Sequence, residues 1–525
     1  MLNKKETERA ELHKTIWNIA NDLRGSVDGW DFKQYVLGFL FYRYISENMS
    51  VYINNIERNA GDLNFSYENE TDEAADRDFK DWLIDNKGFY IKPSQLFCNV
   101  SKNAMQDKDL NITLKNIFDD IEKSTQGQNS SEDFKGLFDD ILLNSPKLGE
   151  TVEKRNEKLA KILVSIGELK LGDVKDNTID AFGDAYEYLM AMYASNAGKS
   201  GGEYYTPQEV SELLARLTVI GKTKVNKVYD PTVGSGSLLL KFAKILGKDN
   251  VKQGFFGQEL NMTTYNLCRI NMFLHDIDFE KFNIKNGDTL TNPKHDGFEP
   301  FEAIVSNPPY SIKWAGKDDI NLVNDERYSV AGVLAPKSKA DLAFIMHSLS
   351  YLASNGTAAI VCFPGVMYRG GAEQKIRKYL VENNFVDGII QLPSNLFFGT
   401  SIATCILVLK KGKKDNKTIF IDASNECIKV TNSNKLKDEN IQSILETYIN
   451  RQDKEYVAKL VDIEEIRKEN FNLSVNTFVE QEDTREKIDI KAVHKELREI
   501  EEKQNILRTK IREIIKDLGD DYEIK

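Results

Sequence analysis

At 525 residues the chain is too long for one ordinary domain and is expected to hold two or three. Hydrophobic residues at 41% and charged residues at 29% fit a soluble globular protein with a real core. No apolar run nears the ~18 residues of a membrane span, so the composition argues against a membrane protein and for a cytoplasmic one. A net charge of -12 argues against a protein that grips nucleic acid unaided, unless basic residues cluster locally or a partner supplies the grip.

Residues 1 to about 165 read as helical. Leu12, Ile16, Ile19 and Leu23 recur at helical spacing between Glu11 and Arg24. A second helix is expected from Phe32 to Ile56. Its aromatic stripe, Phe39, Phe41, Tyr42 and Tyr44, fits a core more readily than a nucleic-acid face. Gly61 to Asp81 is acidic and polar and reads as an exposed loop or insertion. Further helices are expected at Leu114–Ile121, Asp133–Leu143 and Glu153–Leu169.

From about residue 225, short β-rich runs alternate with helical stretches. Strands are expected at Val225–Asp230, Gly254–Glu259, Glu302–Ser306, Ala358–Phe363, Gly388–Leu392 and Thr404–Lys410. A helix at Asp341–Ala353 should bury Leu342, Ile345, Met346, Leu349 and Leu352. Such alternation predicts an α/β domain with a mostly parallel sheet. Trp314 to Lys339 is polar and of mixed charge, and it reads as a mobile loop. Lys410, Lys411, Lys413 and Lys414 form a dense basic run that suits a phosphate contact or a solvated turn equally.

From about residue 484 a long helix is expected. Ile490, Val493, Leu497, Ile500, Gln504, Leu507, Ile511, Ile514 and Leu518 keep a 3–4 spacing, and Gly519 marks its stop. This is a coiled-coil seam, better suited to a partner or a second copy than to folding back. The expected organisation is therefore a helical domain over 1–165, an α/β domain over 166–480 and a C-terminal docking helix over 481–525.

Several local patterns bear on chemistry. The five cysteines and five histidines are scattered, without Cys-x-x-Cys or other ligand spacing, so neither a disulfide framework nor a metal site is expected. Gly198-Lys199-Ser200 and Gly221-Lys222-Thr223 are not P-loops, because Tyr193 and Arg216 stand where the first glycine is required. In Asp230-Pro231-Thr232-Val233-Gly234-Ser235-Gly236-Ser237, a strand runs into a small-residue turn and an apolar helix follows. That places a close backbone approach to a nucleotide-like cofactor at the carboxyl end of a strand. Glu259 and Asp288 end the next two units, each 29 residues further on. Carboxylates at strand ends accept from ribose hydroxyls and suit a cationic ligand better than a phosphate.

Ser306-Asn307-Pro308-Pro309-Tyr310 then ends a strand. A planar aromatic amine is a poor nucleophile because its lone pair is delocalised into the ring. The Asn307 side-chain oxygen and the Pro308 carbonyl can accept both amine hydrogens and localise that pair. The prolines fix the backbone, and Tyr310 offers a stacking face.

The glycine turn, the two acids and Asn-Pro-Pro-Tyr, in this order, resemble the amino-group methyltransferases of DNA. Within that group the chain resembles the modification subunit of type I restriction–modification systems over nearly its whole length. The resemblance also rests on Gly202-Glu203-Tyr204-Tyr205-Thr206-Pro207-Gln208, Asn21-Asp22-Leu23-Arg24-Gly25, Phe41-Tyr42-Arg43-Tyr44 and Leu392-Pro393-Ser394-Asn395-Leu396-Phe397-Phe398-Gly399-Thr400-Ser401-Ile402. It implies a class I S-adenosylmethionine-dependent methyltransferase fold, Rossmann-like with a mostly parallel sheet. It implies methyl transfer from S-adenosylmethionine to N(6) of a flipped-out adenine. Glu203, Tyr204, Tyr205, Thr206, Pro207, Gln208, Asp230, Gly234, Ser235, Gly236 and Ser237 would hold the cofactor, Glu259 its ribose and Asp288 its adenine. Asn307, Pro308, Pro309 and Tyr310 would hold the target base. The implied partners are double-stranded DNA, around which the 314–339 loop would order, a specificity subunit, a motor–nuclease restriction subunit and a second copy of this chain.

The alternatives are a stand-alone adenine methyltransferase, a glutamine-amide methyltransferase and a non-enzymatic adaptor. Cytosine-C5 chemistry lacks its nucleophile, because no cysteine follows a proline. Cytosine-N4 chemistry shares the mechanism, and Asn307 in this motif order favours adenine.

Overall fold

The computed structural model of the chain describes residues 9–17, 29–169, 171, 181–196, 206–297, 300–397, 400–430, 433–481 and 489–517. Residues 1–479 form one compact unit and 480–525 a second. Residues 21–25, 203–205, 398, 399, 518 and 519, on which some of the expectations fall, lie outside the described residues.

The first unit is built on a nine-stranded sheet. Its strands are β1 (Val225–Asp230), β2 (Val251–Glu259), β3 (Phe282–Asn286), β4 (Phe301–Ser306), β5 (Leu352–Cys362), β6 (Val386–Gln391), β7 (Cys405–Lys410), β8 (Lys417–Asp422) and β11 (Ala458–Asp462). A separate hairpin holds β9 (Ile428–Val430) and β10 (Ser433–Lys435). The sheet order is β11-β8-β6-β7-β5-β4-β1-β2-β3. Strands β5, β4, β1, β2 and β3 pair in parallel, while β7 runs antiparallel between β5 and β6. Central parallel strands are covered on both faces and read as apolar runs, as in β4, where Ala303, Ile304 and Val305 are wholly buried. Helix Ser237–Leu246 follows β1, helix Met262–Leu274 follows β2, and helix Asp341–Tyr351 precedes β5. All five residues expected in the core of that last helix are buried.

The six strands expected with bounds are present, β5 beginning six residues earlier at Leu352 and the others ending or starting within three residues of expectation; β3 is the strand implied before Asp288, whereas β8, β11 and the hairpin strands β9 and β10 were not foreseen. Helix Gly29–Ala60 buries Phe39, Phe41 and Tyr42 completely, so the aromatic stripe belongs to the core. Helices Leu110–Ser124 and Val152–Gly167 agree with expectation. Over 133–143 the expected helix is replaced by one turn, Ser131–Phe134, followed by turns, with Gly136 at φ 67°. The carbonyls released there are used elsewhere. Buried Arg269, on the helix after β2, donates to the carbonyls of Glu132, Asp133 and Lys135 at 2.9–3.1 Å. Asn266 donates to the Gly136 carbonyl and to Asp140. This polar seam fastens the helical region to the sheet.

Two further expectations are corrected. Gly61–Asp81 is not a plain exposed loop. It carries helix Asp72–Asp78, capped by Thr71, and it buries Tyr67, whose backbone N–H is taken by Asn54 and whose hydroxyl is taken by Ile91. Trp314–Lys339 is not an open loop either. It contains the short helices Ile320–Asn324 and Glu326–Ser329, and it buries Trp314, Leu322, Arg327 and Tyr328. The second unit is the helix Ile490–Asp517, whose row Ile490, Val493, Leu497, Ile500, Leu507, Ile511 and Ile514 is exposed. Among the described residues, no helix is long and apolar enough to cross a membrane.

Candidate active site

Parallel neighbours end on the same edge. The strand row β4-β1-β2-β3 therefore delivers Asn307, Asp230, Glu259 and Asp288 to one edge of the sheet, at the point where strand order reverses between β1 and β4. That is where open α/β sheets bind ligands.

The turn after β1 is shaped by its glycines. Gly234 and Gly236 sit at φ 56° and 83°, and a Cβ on Gly236 would lie 2.9 Å from Cys268 Sγ and 3.0 Å from Met272 Cε. The turn is pinned from three sides. Val233 N–H donates to the Gln258 carbonyl, Asn271 Nδ2 donates to the Ser235 carbonyl, and Gly234 N–H donates to Glu259 Oε2. The other oxygen of Glu259 accepts from Asn261 N–H at 2.9 Å. Burial raises the Glu259 carboxyl above its ordinary range, and hydrogen bonds from Asn261, Gly234 and Leu260 pull it back.

Asp230 is the more deeply buried acid. Its Oδ1 accepts from Thr232 N–H at 2.9 Å, while Oδ2 is buried without a hydrogen-bond partner. Burial pushes its carboxyl up to about 8, with Glu259 adding repulsion and the Thr232 hydrogen bonds opposing. Gln208, at the head of helix Gln208–Thr218, likewise has both amide atoms buried and unpartnered. Buried polar groups of this kind mark a missing partner.

Asp288 closes on its own loop, accepting from Leu290 N–H and the Thr291 hydroxyl. Sequence reasoning missed what holds this loop. Thr289 Oγ1 donates to the Pro231 carbonyl at 2.5 Å, and Gln258 holds Asn292 and Lys294. Arg327 donates to the carbonyls of Thr289 and Leu290 at 2.9 Å, and Tyr328 donates to Leu290. The same guanidinium lies 2.9 Å from His347 Nδ1. Because arginine only donates, that nitrogen accepts, and Nε2–H is left to donate to Tyr229 at 3.0 Å. Burial and Arg327 hold His347 neutral, well below its ordinary range.

Asn307 lies between two hydroxyls. Its Nδ2 donates to Thr206 Oγ1 at 3.0 Å, and its Oδ1 accepts from Tyr310 at 2.7 Å. The Thr232 and Ser306 hydroxyls, 2.8 Å apart, tie the β1 turn to the strand carrying Asn307. Beyond Tyr310 the chain turns at Ser311, φ 53°, whose N–H points at both oxygens of Asp341. Thr206, Pro207 and Gln208 thus enter the same neighbourhood as the tetrad. The basic run lies elsewhere and is largely spent within the fold. Lys410 pairs with Asp387, Lys411 holds the Leu352 carbonyl, and Lys413 holds the Val386 carbonyl.

Residues 177–487 match the model of the N-6 DNA methylase family. The chain belongs to that family. Residues 12–166 match the HsdM N-terminal domain. The chain is 53% identical to the type I restriction enzyme MpnII methylase subunit of Mycoplasma pneumoniae, over 99% of both chains. It is 36% identical to the MjaVII methylase subunit of Methanocaldococcus jannaschii, over 63% of this chain and 58% of that one. A solved type I restriction–modification methyltransferase subunit from Streptococcus thermophilus superposes with a TM-score of 0.81 at 36% identity, covering 90% of this chain and all of the other. This member of the N-6 DNA methylase family is a type I methylase subunit, an adenine-specific DNA methyltransferase with the class I fold.

Proposed function

We propose that the chain transfers a methyl group from S-adenosylmethionine to N(6) of an adenine held out of the DNA duplex. The observation that carries this is the Asn307 carboxamide, set at the sheet edge beside Asp230 and Glu259 with its oxygen on the Tyr310 side. S-adenosylmethionine, when bound, supplies an electrophilic methyl group on a sulfonium centre. The residues present fit it. Asp230 offers a buried, unpartnered carboxylate oxygen and Gln208 a buried, unpartnered amide, which suit the charged methionine end. Gly234, Ser235, Gly236 and Ser237 let the backbone approach, together with the segment Glu203–Pro207. Glu259 would take ribose hydroxyls and Asp288 the adenine.

Asn307 Oδ1 and the Pro308 carbonyl accept the two hydrogens of the target amine. This localises its lone pair and stabilises the positive charge that grows on nitrogen as it attacks. Pro308 and Pro309 fix the backbone, and the Tyr310 ring stacks on the base. Inside a duplex the amine is paired, so the base must leave the stack to reach these groups.

The chain works, in this reading, with a specificity subunit that supplies base readout, a second copy of itself and a restriction subunit. A net charge of -12 is consistent with borrowed DNA affinity. The exposed apolar row of helix Ile490–Asp517 is consistent with a docking role, and the division at 1–165, 166–480 and 481–525 belongs to the same proposal. The test is transfer of label from S-adenosylmethionine to DNA by the chain alone and with its co-expressed specificity subunit, followed by identification of the modified base. N(6)-methyladenine formed only in the complex is expected. Site-specific methylation by the chain alone would replace the partner-dependent mode, and labelled protein in place of DNA would move the substrate to a protein amide.

A further inference from the structure

In a trans peptide the C=O and N–H point to opposite sides of one plane, so a grip on the oxygen fixes where the hydrogen points. The peptide joining Thr289 to Leu290 is held in this way. Its oxygen accepts from Arg327 Nη1 at 2.9 Å, and its N–H donates to Asp288 Oδ1 at 2.9 Å. Neither bond can be reversed, because a guanidinium and a peptide N–H only donate and a carbonyl oxygen only accepts. Arg327 is itself fixed. It is buried, and all five of its N–H groups are spent: Nε on Asp325, Nη1 on the Thr289 carbonyl and His347 Nδ1, Nη2 on the Leu290 carbonyl and Asp325. On the other side, Thr289 Oγ1 donates to the Pro231 carbonyl at 2.5 Å and seats the loop on the turn after β1. Asp288 is only half-buried. The plane that aims its carboxylate is therefore set by a residue 39 positions away, behind the loop.

We propose that Arg327 is a positioning residue for the cofactor's adenine. It fixes the Thr289–Leu290 peptide and, through that N–H, holds the Asp288 carboxylate where it accepts from the exocyclic amine of the adenine. This rests on the reading of Asp288 as the adenine acceptor. Arg327 touches no cofactor atom in this role. It removes the reorientation that a carboxylate on an unheld loop would need at each binding event.

The test uses the full chain co-purified with its specificity subunit. Dissociation constants are measured for S-adenosylmethionine and for its analogue with hypoxanthine in place of adenine, which carries an oxygen where the amine was. The readout is the ratio of the two. A hydrogen bond to a charged acceptor corresponds to a preference for adenine of roughly tenfold or more in the wild type, and Asp288→Ala should abolish it. Arg327→Met should cut the preference at least about fivefold while the analogue binds within about threefold of wild type, which also reports a folded site. Arg327→Lys keeps a cation beside Asp325 but lacks the fork that spans both carbonyls, and it should cut the preference at least about threefold. Tyr328→Phe removes only a hydroxyl bond to the Leu290 carbonyl, on the next peptide, and should leave the preference within about twofold. Equal weakening of both ligands by the Arg327 variants, or loss of all binding in both, marks a merely structural role and overturns the proposal. An unchanged preference in them, or as large a loss in Tyr328→Phe, overturns it too. A wild type without preference, or an Asp288→Ala form that retains it, removes the adenine assignment and the proposal with it. That result is distinct from an Asp288-dependent preference that the Arg327 variants leave intact.

Discussion

Replacing Asp230 by asparagine keeps the size of the side chain and removes its charge. In the ligand-free protein the carboxyl is raised from its ordinary 3.8 to about 8, first by burial. One pKa unit corresponds to about 1.4 kcal/mol, so ionising this group inside the fold costs on the order of 5 kcal/mol. The sign follows from linkage. A carboxyl whose folded value is raised gives its full contribution to stability below about pH 4 and loses it as pH rises toward 8. Wild-type protein without cofactor should therefore lose about 1.4 kcal/mol per pH unit from this group across that window, while Asp230→Asn lacks this slope and is the more stable at pH 9. A cationic ligand beside the carboxylate reverses the preference. Binding of S-adenosylmethionine should release close to one proton near pH 7 and weaken up to tenfold per pH unit below about 8. Denaturant melts of both proteins between pH 5 and 9 read the slope. Calorimetry in two buffers of different ionisation enthalpy counts the protons. A cofactor affinity flat from pH 6 to 9, with no proton released and parallel melts for the two proteins, would refute the reasoning.

Other perturbations have equally definite outcomes. Tyr310→Phe keeps the ring and should retain methyl transfer within about tenfold, whereas Tyr310→Ala loses the stacking face, worth roughly 1–3 kcal/mol per base, and should raise the KM for DNA. Gly236→Ala places a methyl 2.9 Å from Cys268 Sγ at a backbone φ of 83°. It should cost on the order of 1–3 kcal/mol of stability and weaken cofactor binding, both read by thermal shift with and without S-adenosylmethionine. Arg269→Met removes a buried guanidinium that satisfies three carbonyls of the 132–135 turn. It should destabilise the protein by about 3 kcal/mol or more and open that turn to limited proteolysis.

Much of the sheet edge that carries the candidate site was legible because its elements are local. The apolar run into Asp230, the glycine turn, and the equal spacing of Glu259 and Asp288 each follow from one strand–helix unit, and parallel topology then places their ends side by side. What failed had a physical cause in each case. Phe134, Leu137, Phe138 and Ile141 keep helical spacing and are indeed buried, yet Gly136 in a left-handed conformation and the carbonyl demand of Arg269 break the helix. Periodicity there reported burial, not conformation. Strand β3, Phe-Asn-Ile-Lys-Asn, was implied by the position of Asp288 but its bounds were not legible, because it is a short edge strand with one covered face. The polar stretch after Tyr310 read as a loose loop because charge suggests solvent, whereas Arg327 is buried against the Thr289 and Leu290 carbonyls. The pairing of Thr206 with Asn307 spans 101 residues and leaves no linear signal at all.

The most direct measurement is single-turnover methyl transfer to DNA by the complex carrying Asn307→Ala, with cofactor binding measured on the same preparation. The expected rate is lower by about 100-fold or more, as for loss of one preorganised transition-state contact, with cofactor affinity unchanged. Transfer within a few-fold of wild type would contradict it, because the amine would then be activated without the carboxamide oxygen.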